Sequence, residues 1–176
     1  MTRSALLLTM LDDAYARVRE RLDGLSDEEF FWQPIPNCWT IYQDSSGRWT
    51  YHYAMPDPRP APITTIGWLL IHLGACKLMY HEWAYGAARL TWPDLQIPHT
   101  ATGAIELLEH GQALLREDLT GLAEHQLDKP RKTNWGELWP AWRIFWTMIN
   151  HDATHGGAIG HLRDLYYWTH SGARGS

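Results

Sequence analysis

The stretch Asn150-His151-Asp152-Ala153-Thr154-His155-Gly156-Gly157-Ala158-Ile159 sets two imidazoles four residues apart inside an apolar stripe. On a helix that spacing stacks both rings on one face, about one turn apart. The same face carries Ile144 and Met148 before the pair and Ile159 and Leu162 after it. The pair therefore points toward a core, where each ring nitrogen needs a partner. A divalent metal is an economical partner, because imidazole is a common ligand. His72 meets the same description. Its stripe runs Thr65, Trp68, Leu69, His72, Cys76, Met79, Tyr80, Trp83. His72, His151 and His155 on two long helices make a site of three protein ligands with one position left open.

Working outward, a first helix reads from about Ser4 to Leu22, with Leu7, Met10, Leu11, Ala14, Val18 and Leu22 inward and Gly24 ending it. Ser26-Asp27-Glu28-Glu29 is a capping box that opens a short helical turn. Residues 33–63 carry six prolines and a run of aromatics, and they read as a long non-helical loop between the first and second long helices. Within it, Arg48–Tyr53 suits a short strand or an extended lid. The aromatics argue for packing, and a loop of this length in a compact domain points to function. The second helix starts at Thr64 or Thr65 and runs to about Tyr85. The third spans about Thr102 to Leu119. Residues 120–138 read as irregular, and Pro140 suits the first turn of a fourth helix that continues to about Trp168. The expected fold is all-α, a four-helix bundle with little or no sheet.

The bulk numbers narrow the function. At 176 residues the chain is expected to be a single domain, 1–176, large enough to bury a core. A formal charge of -5 without a basic cluster argues against nucleic acid as a partner. No apolar run is long enough to span a membrane, and the apolar residues 5–10 run straight into Asp12 and Asp13, unlike a signal peptide. Two cysteines, Cys38 and Cys76, fit a reduced cytoplasmic protein better than a disulfide scaffold. Eleven tryptophans can simply fill a core, but they also suit a pocket for an amphipathic small molecule.

Together, three segments resemble the DinB-like (DinB/YfiT-like) superfamily of helical metalloproteins. They are Thr64-Thr65-Ile66-Gly67-Trp68-Leu69-Leu70-Ile71-His72-Leu73, the run from Asn150 to Arg163 with its paired histidines, and Leu25–Phe30 with Trp32 and Pro34. The resemblance implies an up-down-down-up bundle, a three-histidine metal site and frequent dimerisation. It includes transferases that use mycothiol or bacillithiol and a thiol-dependent isomerase. A related helical domain occurs in iron-dependent sulfoxide synthases whose second catalytic domain this chain could not encode.

The expected function is a metal-dependent enzyme that activates a low-molecular-weight thiol of the mycothiol type, or water, against an organic electrophile. Zinc is the first choice of ion, with nickel or iron also suited. The alternatives are a non-catalytic, stress-related metal- or ligand-binding protein, or a Lewis-acid enzyme of a biosynthetic pathway that uses no thiol. Three further residues are catalytic candidates. His52 lies in the aromatic loop as an acid or base. Asp152 could orient a ligand imidazole. Arg163 could reach an anionic substrate, or could form an ordinary salt bridge. Cys76, one turn beyond His72, reads as a small buried thiol or as a further ligand. Cys38 reads as structural, and His81 and His161 fall off the ligand faces.

Overall fold

The computed structural model describes residues 1–56 and 58–171. Its long helices are α1 (Arg3–Glu20), α3 (Ile66–Ala84), α4 (Ala101–Thr120) and α5 (Ala141–His170), and α2 (Asp27–Phe31) is a short turn of helix. Thr2, Ser26, Thr65 and Thr100 each sit in extended backbone just before a helix. Each side-chain hydroxyl accepts an N–H that the first turn leaves free. Asp27 reaches further and accepts the Ala101 N–H at 2.7 Å, so the residue that opens α2 also caps α4. Helix α3 packs against α4 and α5, and α1 packs against α5 and α4. Because α3 is covered on most sides, Ile66, Leu69, Leu70, Ile71, Leu73 and Met79 are all buried. Among the described residues, no helix is long and apolar enough to cross a membrane.

The little sheet among the described residues lies in two segments, and the first of them takes in the short strand expected within Arg48–Tyr53. In the 33–63 segment, β1 (Ile41–Gln43) and β2 (Trp49–Tyr51) form an antiparallel hairpin, with Ile41 opposite Tyr51 and Gln43 opposite Trp49. Its turn is built by the Asp44 carboxylate, which accepts from the Ser46 N–H, the Ser46 hydroxyl and the Arg48 N–H. Gly47 then supplies a positive φ of 81°. The hairpin is fastened at both ends. Trp39 pairs with the segment entering α3 through Trp39 N–H to Ile63 and Thr65 N–H to Trp39. The Arg48 guanidinium donates to the carbonyls of Pro93 and Leu95.

The region 120–138, expected to be irregular, contains β3 (Pro130–Lys132), paired antiparallel with β4 (Leu138–Pro140). Pro140 is not in the first turn of α5. It ends β4 in extended backbone and caps the helix. The reason lies in the backbone donors that follow it. Ala141 N–H donates to the Lys129 carbonyl and Trp142 N–H to the Leu127 carbonyl. The preceding segment thus satisfies the first free groups of α5.

One polar contact lies inside the apolar packing. Lys77 of α3 donates to Asp152 of α5 at 2.6 Å and to the Gln112 amide oxygen of α4 at 2.9 Å. The Tyr15 ring of α1 faces the ammonium at 6.0 Å. The Lys77 and Asp152 side chains are 1% and 0% exposed. Breaking such a pair strands one charge away from water, whereas replacing both partners with apolar groups removes the burden. Lys77→Met is expected to destabilise the chain by about 3–5 kcal/mol. The double change Lys77→Met with Asp152→Leu should recover much of that loss. Urea unfolding of the two variants beside the parent chain measures both values.

Candidate metal centre

Helix α3 carries His72 and Cys76 on adjacent turns, and α5 carries His151 and His155 on adjacent turns. Where the helices cross, the three imidazoles form one cluster. Ring centroids lie 5.4 Å apart for His72 and His151, 5.0 Å for His72 and His155, and 5.3 Å for His151 and His155. Cys76 Sγ is 3.8 and 3.9 Å from the two ring nitrogens of His72. Ligand atoms of His72, Cys76 and His151 all lie within 4.8 Å of one another, so a cysteine joins the expected histidines at the centre. His155 adds its ring one turn further along α5 but is not part of that tightest group of donor atoms. His161 is exposed, as expected.

Burial decides the charge of these groups. His72 is driven down from 6.5 to about 3, first by burial and then by the nearby His155 and His151. His151 is driven down to about 4 by burial and by the charges of His155 and Lys77. Burial lowers His155 as well. All three therefore present neutral imidazoles at neutral pH, the form that offers a lone pair. Burial also pushes the Cys76 thiol up to about 12, against the opposing effect of Lys77. The donor set suits a borderline-soft divalent ion such as zinc. One atom supports this fit directly: His151 Nδ1 is buried and has no hydrogen-bond partner among the described residues.

The remaining candidates lie around this cluster in different ways. The His52 ring does not join it. Its Nδ1 sits 3.0 Å from the Thr40 nitrogen and 2.9 Å from the Thr40 carbonyl, and its ring lies against Tyr42. The backbone carbonyl of His52 does reach the neighbourhood, because Trp68 donates its indole N–H there at 2.8 Å. Trp68 in turn stacks on His72 at 4.9 Å and 11°. Asp152 turns away from the imidazoles toward Lys77. Arg163 donates to Glu29 through Nε and Nη2, at 2.7 and 3.1 Å, and through Nη1 to the carbonyls of Arg21 and Asp23. It fastens α2 and the preceding turn to α5. His81 pairs with Asp118 of α4 at 2.7 Å. Cys38 donates to the Ile35 carbonyl, in keeping with a structural role.

A cavity of about 430 Å³ opens above His72, Cys76 and His151. Its walls are Tyr51, Tyr53 and Met55 from the hairpin side, Trp92 from the connection after α3, and Tyr80 and Trp135. Reading the sequence missed Trp135 and Trp92. Trp135 sits in the turn between β3 and β4, a region without the period that would have marked it.

The sequence pattern of the DinB superfamily matches residues 10–159. The chain belongs to the DinB superfamily. A crystal structure of a conserved protein from Enterococcus faecalis has the same fold, with a TM-score of 0.58 at 18% identity, over 94% of this chain and 97% of that one. No curated protein matches the sequence.

The depressed histidines set a pH response for the metal-free chain. The unfolded chain takes up protons as pH falls below 6.5, while folded His72 and His151 resist until about 3 and 4. Stability contributed by neutral imidazoles is thus complete above 6.5 and is lost as pH falls toward 4. Urea midpoints of chelator-treated protein should drop through that window, and drop less in His72→Phe. Equal slopes for the two proteins would contradict the assignment.

Proposed function

We propose that this DinB protein is a divalent-metal-dependent enzyme that activates a low-molecular-weight thiol of the mycothiol type, or water, against an organic electrophile. His72, His151 and His155 hold the ion in this reading, with zinc preferred and nickel or iron also suited. The observation that carries it is the meeting of three neutral imidazoles from two helices, of which His72 and His151 line a cavity. A bound divalent ion would supply Lewis acidity, enough to bring water to a pKa of about 7 or to hold a thiol as thiolate.

The chain's own residues supply the rest. Trp68 holds the His72 ring by stacking and is itself held by its bond to the His52 carbonyl. The aromatic walls exclude water and keep a second reactant beside the imidazoles. Tyr80 accepts the Trp135 indole N–H at 3.2 Å, which leaves its own hydroxyl proton to donate into the cavity.

In this reading the protein is a cytoplasmic homodimer of a single DinB-like domain, with its long helices in up-down-down-up order and a small molecule as substrate. Neither nucleic acid nor membrane is a partner. Two free, buried cysteines support a reducing compartment. Exposed Leu6 and Met10 of α1 and Trp142 and Trp146 of α5 support self-association.

The position of Cys76 favours a second reading, a non-catalytic metal-binding protein in which the thiolate closes the coordination shell. A Lewis-acid enzyme that uses no thiol is the third. Cobalt substitution separates them. A thiolate-to-cobalt charge-transfer band that appears only after thiol is added supports the transferase. A band present from the start and lost in Cys76→Ser supports the closed site. No band under either condition leaves the thiol-free enzyme.

The ligand set has its own test. His155→Ala should lose tight metal binding while keeping most helical content, because the apolar stripes still hold the helices together. The altered site should cost roughly 1–3 kcal/mol. His161→Ala should keep its metal. Elemental analysis and circular dichroism of both variants check this, and chelation of the parent chain should lower its melting temperature.

A further inference from the structure

The β3–β4 hairpin holds one residue of the cavity from two sides. Tyr80 follows His72 and Cys76 at four-residue steps on α3, and all three line the cavity of about 430 Å³. The Tyr80 ring lies against Trp139 of β4 at 5.9 Å and 29°, and its hydroxyl oxygen accepts the Trp135 indole N–H at 3.2 Å. Trp139 is itself held, by its indole N–H to Glu137 at 2.7 Å and by the Arg143 guanidinium over its ring at 4.0 Å. We infer that Tyr80 donates a hydrogen bond to the oxygen of a carbonyl-bearing electrophile and meets the negative charge that gathers there. This deepens the enzymatic reading, on which it rests for the reaction but not for the contact itself.

The direction of the bond follows from the donor that Tyr80 faces. An indole N–H can only donate, so the Tyr80 oxygen is committed as an acceptor on that side and its own hydrogen turns elsewhere. The residue is 4% exposed and lines the cavity, so that hydrogen is offered to a guest rather than to bulk water. Burial raises the phenol, against the lowering by the Trp135 bond, and it stays protonated at neutral pH. Tyr51 and Tyr53 also bring hydroxyls to the cavity. Trp135 singles out Tyr80, because a pinned oxygen presents its hydrogen in a set direction before the substrate arrives.

The reaction needs such a donor. Three imidazoles and the nucleophile fill the four positions of a tetrahedral ion, so the electrophile's oxygen has to be met by the protein. As the nucleophile's lone pair forms the new bond to carbon, the carbonyl π pair moves onto oxygen. Tyr80 stabilises that oxygen by hydrogen bonding and keeps its own proton. The proton that the thiol or water released to solvent on activation is returned to the oxygen from solvent, which balances the addition.

Infrared spectroscopy of acetophenone bound to the full chain, zinc-loaded and then chelated, tests the inference. The carbonyl band should lie at lower frequency in the parent chain than in Tyr80→Phe, with zinc and without it. Tyr80→Phe should also weaken acetophenone by about two- to tenfold, the loss expected for one hydrogen bond. Its phenyl ring keeps the place against Trp139, and Trp135, 46% exposed, can turn its N–H to water, so the variant should fold and keep its zinc content. Tyr51→Phe should leave the band where it is. Equal bands in the parent and Tyr80→Phe overturn the inference. So does a shift present only with zinc, a shift removed by Tyr51→Phe instead, or failure of acetophenone to bind. A chain that takes up no divalent ion yet shows the Tyr80-dependent shift supports the contact and ends the metal-dependent reading.

Discussion

A buried lysine and a buried aspartate can coexist in this core only against each other. Away from water, each charge is tolerable only when paired and hydrogen-bonded. Lys77 directly follows Cys76, and Asp152 directly follows His151. Neighbours on a helix point about 100° apart. Holding Lys77 on Asp152 therefore fixes how far α3 and α5 are rolled about their axes, and so the directions of His72 and Cys76 on one and His151 and His155 on the other. Gln112 brings α4 into the same contact. Close packing makes this possible: a Cβ on Gly111 would stand 2.7 Å from Lys77 Cβ, and one on Gly74 would stand 2.8 Å from the Leu107 side chain. The apolar stripes bring the helices together, and the ion pair selects their rotation.

Burial thus acts in opposite ways on the two sides of α3. Toward α4 and Asp152 it forces opposite charges into contact. Toward the cavity it strips charge from three imidazoles and leaves them as neutral donors. A histidine cluster kept neutral by its surroundings needs no base beside it to become a ligand set. That is consistent with an Asp152 committed to Lys77 rather than to a ring nitrogen.

The periodic parts of the molecule were legible from the sequence. The stripes through His72 and through His151 and His155 have the helical repeat over several turns, and Thr65 and Ser26 mark helix starts by a local mechanism. One strand, β2, was anticipated within Arg48–Tyr53; the others were hidden because each is three residues long, too short to display alternation, and because β3 and β4 expose Lys132 and Leu138 alike. The signal that did exist for the first hairpin is the Asp44-Ser45-Ser46-Gly47 turn. Lys77 was overlooked for a different reason: pattern reading sends a lysine to solvent, and α3 has almost no solvent face. Arg163 was readable only as two alternatives, since its partner Glu29 lies far away in sequence. Cys76 fell on the correct stripe, but spacing alone could not distinguish a packed thiol from a donor.

The fastening of the β1–β2 hairpin has a thermodynamic consequence. Its ends are tied to the entrance of α3 and to the carbonyls of Pro93 and Leu95, so the ring surfaces of Tyr51 and Trp92 are ordered before any guest arrives. A guest then loses little affinity to freezing loops and side chains, and more of its buried area appears as binding. The same rigidity limits tolerance. A preorganised mould selects by shape at first contact, whereas a mobile lid would adapt to many shapes and sort them by closure.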